Sequence, residues 1–161
     1  MSASFKNAIA QDGKASTIRK IFSRETSVNI LIEADPAIIW TLLTNASDFP
    51  RWNSTVISIE GDIRKGQQIK LKSSLDPKRT FSLKVKEFEP EKRLVWGDAL
   101  GSRVYTIEKA RGDGIVFTMT EKIGGPLFPL FAKHIPPFDE SFERFAADLK
   151  AEAETVQRSR Q

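Results

Sequence analysis

Apolar and polar residues alternate along most of this chain, with two interruptions. Val28, Ile30 and Ile32 alternate with Asn29 and Glu33, the pattern of a half-buried strand. Asp35-Pro36 ends it and opens a helix, with Asp35 as N-cap and Pro36 at the first helical position. The run Ile38, Ile39, Trp40, Leu42, Leu43 has no strand alternation and fits a short buried helix. A second helical turn is expected over Ser47–Trp52. From Ser54 to Ile123 short alternating segments are separated by turn chemistry: Gly61–Gly66, Asp76-Pro77-Lys78, Glu89-Pro90-Glu91, Gly101-Ser102 and Arg111-Gly112-Asp113. This predicts six strands in an antiparallel meander. No βαβ alternation is present, so a parallel sheet is not expected.

After Gly124-Gly125-Pro126 an apolar stretch leads to Pro136-Pro137 and then to a second helical pattern. Phe138, Phe142, Phe145, Leu149, Ala153 and Val156 form one stripe, with charged residues on the other faces. Pro137 suits the first turn, and Asp139 and Glu140 suit the positive end of the helix dipole. A meander with one apolar face needs a cover, and a helix of about eighteen residues is long enough to supply it. The predicted fold is α+β, a curved seven-stranded antiparallel sheet around a long C-terminal helix, with two short helices after the first strand. The expected division is a polar N-terminal arm over 1–20, with at most a short helix over Phe5 and Ile9. A single folded domain then spans 21–156, and a tail spans 157–161.

That order of elements resembles the START-like, or helix-grip, superfamily, and within it the polyketide cyclase/dehydrase and lipid-transport (SRPBCC-type) branch. The resemblance rests on Ile30-Leu31-Ile32-Glu33-Ala34-Asp35-Pro36 through Trp40 and Leu43, Phe49-Pro50-Arg51-Trp52 and Arg93-Leu94-Val95-Trp96. It continues in Thr120-Glu121-Lys122 with Gly125, and in Phe145 with Leu149-Lys150. It covers roughly residues 26 to 154. It implies a cavity between sheet and helix that holds a lipid, hormone or polyketide, with cyclase or dehydratase activity in some members. It carries no shared catalytic motif, so it supplies no reaction.

Composition narrows the chemistry. The 161 residues include no cysteine, one histidine, one tyrosine and eleven phenylalanines. Disulfides, thiolate zinc sites, a cysteine nucleophile and multi-histidine metal sites are excluded. No metal and no cofactor is expected. The net charge is +4, but 25 basic and 21 acidic residues are interspersed, so nucleic acid is not expected as a partner. The polar N-terminus does not read as a signal peptide, no run is long enough for a membrane span, and the expected location is the cytoplasm.

Strand register locates the candidate site. A three-residue loop at Asp76-Pro77-Lys78 puts Leu71 and Leu83 on the inner face and Lys70 opposite Lys84 outside, near Lys72 and Lys86. Those lysines are either a solvated face or a patch for anionic lipid headgroups. A two-residue Gly101-Ser102 loop pairs Asp98 with Tyr105 and Trp96 with Ile107. The 111–113 loop pairs Arg103 with Glu121, Tyr105 with Met119 and Ile107 with Phe117. A bulge is expected between Val85 and Phe88, where the alternation slips.

One end of the inner face then carries Asp98, Arg103, Tyr105 and Glu121. The other carries Leu94, Trp96, Ile107, Phe117 and Met119, with Phe138 and Phe142 facing them from the helix. Apolar walls with a few convergent polar groups describe a ligand pocket. An Arg103–Glu121 salt bridge with Tyr105 bonded to Asp98 at the rim describes the same residues without a ligand. Phe128, Phe131 and Phe138 are either a gate or core. Trp40 and Trp52 read as packing residues. Three functions stay open. The first is carriage of a hydrophobic small molecule. The second is a cyclase or dehydratase moving a proton through Asp98, Tyr105, Glu121 or His134. The third is a protein-interaction or chaperone-cofactor role.

Overall fold

The computed structural model describes residues 12–161; the Phe5 and Ile9 expectation lies outside them. Eight strands form one antiparallel sheet. β1 (Ala15–Arg19) and β2 (Ser23–Ile32) precede helix α1 (Pro36–Thr44), a 3-10 turn (Ala46–Asp48) and α2 (Phe49–Trp52). The meander follows: β3 (Val56–Glu60), β4 (Gln68–Ser73), β5 (Asp76–Glu89), β6 (Arg93–Gly97), β7 (Gly101–Lys109) and β8 (Ile115–Gly124). Then come α3 (Phe128–Phe131), a 3-10 turn (Ala132–His134) and the long α4 (Asp139–Ser159). The spatial order is β1-β2-β8-β7-β6-β5-β4-β3, so the second and last strands pair and β1 and β3 form the edges.

The expected α+β helix-grip architecture is present, with one strand more than predicted. That strand, β1, lies inside the segment read as a polar arm. Its one large apolar residue, Ile18, faces solvent, so it carries no core-directed alternation. The backbone ladder to β2 holds it, together with Thr17 Oγ1 donating to Asp139 (2.5 Å) and Ala15 N donating to Glu143 (3.1 Å).

Asp35 caps α1 as the sequence predicts, accepting from Ala37 N at 2.9 Å. α4 begins at Asp139 with Phe138 as N-cap, so Pro137 stands just outside it. The helix buries Phe142, Phe145, Ala146, Leu149 and Ala153 against the sheet. Its polar residues fix neighbouring loops. Asp148 accepts from Ser54 N (2.8 Å), Glu154 from Glu33 N (2.9 Å) and Gln157 from Asp35 N (2.9 Å). Trp40 and Trp52 are packing residues, edge-on to Phe88 (5.0 Å) and Phe145 (6.0 Å).

Register decides which side chains meet. β7–β8 has the predicted pairing: Arg103 opposite Glu121, Tyr105 opposite Met119, Ile107 opposite Phe117. The bulge between Val85 and Glu87 falls where the alternation slips. Two other registers differ from expectation. β4 turns into β5 at Ser74-Leu75, with Ser73 Oγ accepting from Leu75 N (3.1 Å). Lys70 therefore faces Ser82, Lys84 faces Gln68, and Glu60 stands across from Lys70 on β3. The expected Lys70–Lys84 pair does not form, and the face is mixed rather than a cationic patch. β6 turns into β7 through Asp98, not Gly101-Ser102. Asp98 Oδ1 accepts from Leu100 N (2.8 Å) and Gly101 N (3.1 Å). A Cβ on Gly97 would stand 2.2 Å from Gly101 O, so the tight return requires glycine there. Trp96 thus faces Arg103, and Tyr105 faces Leu94 instead of Asp98. Both slips are by an even number of residues, so the inner face keeps its membership.

Candidate functional site

A cavity of about 190 Å³ lies between the sheet and the start of α4, open at the end where the β4–β5 and β6–β7 turns lie. Leu71, Phe81, Leu83 and Trp96 form its wall, and Arg103 and Glu121 its charged floor. Ile135, Pro136, Phe138 and Phe142 roof it, while Asp98, Leu100 and His134 stand around the mouth.

The floor is a salt bridge inside an apolar shell. Arg103 Nη2 donates to Glu121 Oε2 at 2.8 Å, with each side chain only 20% exposed. The guanidinium also lies over the Phe142 ring, 5.0 Å from its centroid. Burial lowers the Arg103 pKa, but the Glu121 carboxylate and the Tyr105 hydroxyl together outweigh it and raise the value. Arg103 therefore stays charged. Its buried side faces away from the cavity, against the Tyr105 hydroxyl.

The predicted site residues divide into two groups. Leu71, Leu83, Trp96, Asp98, Arg103, Glu121, His134, Phe138 and Phe142 line the cavity. Leu94, Tyr105, Ile107, Phe117 and Met119 share the inner face but are core, each at most 6% exposed. The reason is α4. Phe145 covers that half of the sheet, stacking on Phe117 (6.3 Å) and lying 5.8 Å from Tyr105. Of the expected gate residues only Phe138 lines the cavity; Phe128 and Phe131 pack edge-on against each other at 5.6 Å.

Of the four proton-transfer candidates only Glu121 and Tyr105 stand together, both against the Arg103 guanidinium. Asp98 uses its carboxylate to close its own turn. Glu121 is tied to Arg103. Tyr105 is 1% exposed and sits behind the cavity wall, its hydroxyl against the Arg103 guanidinium. His134 ends a 3-10 turn at the mouth. Burial pushes the Tyr105 hydroxyl up to about 12, against the pull of the Arg103 guanidinium. Folding thus favours the neutral phenol. Its contribution is complete below pH 10, the ordinary value, and is lost as pH rises to about 12, an expected fall of about 2–3 kcal/mol. Tyr105 is the chain's one tyrosine, so its absorbance titration reads that midpoint directly. A midpoint at the ordinary value contradicts the burial.

Periodicity did not single out Arg24, which holds the roof. It is 3% exposed on β2, donates to Ile135 O (3.2 Å) and Pro136 O (2.9 Å), and lies over Phe138 at 4.5 Å. Burial lowers its pKa, and Arg19 adds to that. An arginine in the inward register of an apolar strand was the available signal. Arg24→Leu strands two carbonyls and is expected to cost about 1–3 kcal/mol in urea unfolding. Hydrogen exchange should rise over Ala132–His134, and unchanged exchange there would remove Arg24 from that role. Ile123 was also legible, two residues beyond Glu121 on the same face. Leu100 continues the alternation of Trp96 and Asp98, while Ile135 and Pro136 carry no periodic signal.

Residues 23–154 match the family described as polyketide cyclase/dehydrase and lipid transport. The chain belongs to that family. No curated protein matches it significantly. Among solved structures it is similar to a conserved protein of unknown function from Enterococcus faecalis, with 16% identity over 94% of this chain and 81% of that one (TM-score 0.65). It is also similar to a START superfamily protein from Mycobacterium smegmatis, with 14% identity over 82% and 98% (TM-score 0.59). A third is a putative protein of the dynemicin biosynthetic locus, with 16% identity over 84% and 49% (TM-score 0.62). At these identities the likeness is one of fold. Among the described residues no helix is long and apolar enough to cross a membrane, and no cluster of His, Cys, Asp and Glu could hold a metal ion.

Proposed function

We propose that this family member binds a compact amphipathic small molecule, with a polar group on Arg103 and Glu121 and an apolar body against Leu71, Phe81, Leu83 and Trp96. The carrying observation is the Arg103–Glu121 ion pair on the floor of a largely apolar cavity. Each of the two side chains keeps about 20% of its surface exposed, so the pair can still bond a ligand oxygen. Glu121 already neutralises the guanidinium. The fit is therefore to a neutral oxygen, such as a carbonyl or hydroxyl, rather than to a second carboxylate. The volume is below the roughly 300–1,000 Å³ of drug-sized sites. It takes a ring system or one end of a longer chain, as in a polyketide, an aromatic metabolite or a lipid.

Native mass spectrometry of gently purified protein tests this, together with quenching of Trp96 by a panel of hydroxylated aromatics and fatty acids. Trp40 and Trp52 lie outside the cavity lining, so a Trp96→Phe variant should lose the quenching. No retained mass and no Trp96-dependent quenching across the panel would overturn the reading.

A further inference from the structure

The cavity mouth carries an apolar rim that no part of the described chain covers. Ile21, Phe22, Leu100, Leu127 and Leu130 are 76%, 57%, 47%, 64% and 72% exposed. They come from three separate segments held together by backbone bonds. Gly125 N donates to Phe22 O (3.0 Å), Gly124 N to Leu100 O (2.9 Å) and Phe128 N to Gly125 O (3.1 Å). Leu100 also lines the cavity, as does Ile123 one residue before Gly124, so these tips lie beside its opening, at the same end of the sheet. Exposed Arg19, Lys20 and Lys133 flank them in sequence, and Arg79 lines the cavity on the β5 side. The acidic groups of the mouth are Asp76 and Asp98, and the Asp98 carboxylate is engaged in its turn.

Clustered apolar side chains of this size mark an interaction surface. They sit on two hairpin turns and on the short segment that runs into α3. Large apolar residues mixed with Arg and Lys suit the headgroup layer of an anionic bilayer. A second copy fits poorly, because a two-fold contact would set Arg19, Lys20 and Lys133 against themselves. We propose that the mouth end docks on anionic lipid membranes, so that the cavity opens into the bilayer surface. The contact holds whatever the cavity carries. It is distinct from the mixed outer face around Lys70 and Lys72.

Co-sedimentation with vesicles of phosphatidylcholine, with and without phosphatidylglycerol, tests the proposal without any cavity ligand. The protein is expected to pellet with the anionic vesicles, less so as salt rises. Phe22→Asp with Leu130→Asp should weaken binding by about tenfold or more, since two large apolar groups no longer enter the interface. Both positions are exposed, so circular dichroism and the melting midpoint should not move. Arg19→Glu with Lys20→Glu should remove the preference for anionic lipid, while Lys70→Glu with Lys72→Glu should leave it. Failure of the wild-type protein to pellet overturns the proposal, as does undiminished binding of the Phe22/Leu130 variant. An equal loss from the Lys70/Lys72 variant also overturns it. So does a wild-type dimer, seen by light scattering, that the Phe22/Leu130 variant dissolves.

Discussion

Phe145→Ala is expected to lower the unfolding free energy by about 3–5 kcal/mol, the largest loss of any single truncation considered. Phe145 is 1% exposed and lies at the crossing of α4 with the sheet. Its ring meets Phe49 (6.2 Å), Trp52 (6.0 Å), Tyr105 (5.8 Å) and Phe117 (6.3 Å). Two of those partners belong to the sheet and two to α2 and its entry, so one side chain clamps three elements. Aromatic contacts add to area burial, and none can follow a retreating methyl. Against a total stability of about 5–15 kcal/mol, this loss leaves a marginal fold, with a melting midpoint lower by about 10 °C or more. Phe142→Ala provides the contrast. Phe142 is equally buried but borders open cavity, so its removal enlarges an existing space. The expected cost is smaller and the ligand profile should broaden. Equal losses for the two variants would mean that the cavity does not discriminate between them. A Phe145 loss under about 1 kcal/mol would mean that the helix is not clamped there.

The contrast between Phe142 and Phe145 also shows what the sequence discloses and what it withholds. Face membership is legible because side chains alternate with period two, and register slips of even length preserve it. That is why Trp96 and Arg103 point inward although the β6–β7 turn differs from expectation. The Arg103–Glu121 pair is legible because the β7–β8 register is set by a local turn. Depth along the face is a different matter. Tyr105 and Phe117 alternate as well as Leu71 and Leu83 do, yet α4 covers the first pair and leaves the second open. Where α4 crosses depends on the segment between Gly125 and Phe138, and that segment is fixed by contacts such as Arg24 to Ile135 and Pro136. These partners are more than a hundred residues apart in sequence. No local period records such a contact. β1 escaped for a similar reason, since its hold on the fold is a ladder and two polar bonds rather than an apolar stripe.

Arg103→Met is expected to cost about 3 kcal/mol, the low end for breaking a buried pair, because both partners keep some solvent. The loss comes from Glu121, whose carboxylate is left in an apolar shell without its cation. Arg103→Met combined with Glu121→Leu removes both charges together, and should return to within about 1 kcal/mol of the parent. The cycle separates two reasons for placing ions on a cavity floor. If the pair held the sheet together, the double variant would remain as unstable as the single one. If the pair serves a ligand, the double variant regains stability, but ligands bearing an oxygen lose about tenfold or more in affinity. Purely apolar ligands of the same shape should bind it as well or better. Urea unfolding of the three variants and quenching of Trp96 give both readings on one set of proteins. A double variant that is stable and still prefers oxygenated ligands would take Arg103 and Glu121 out of the site and direct attention to His134 and Asp98 at the mouth.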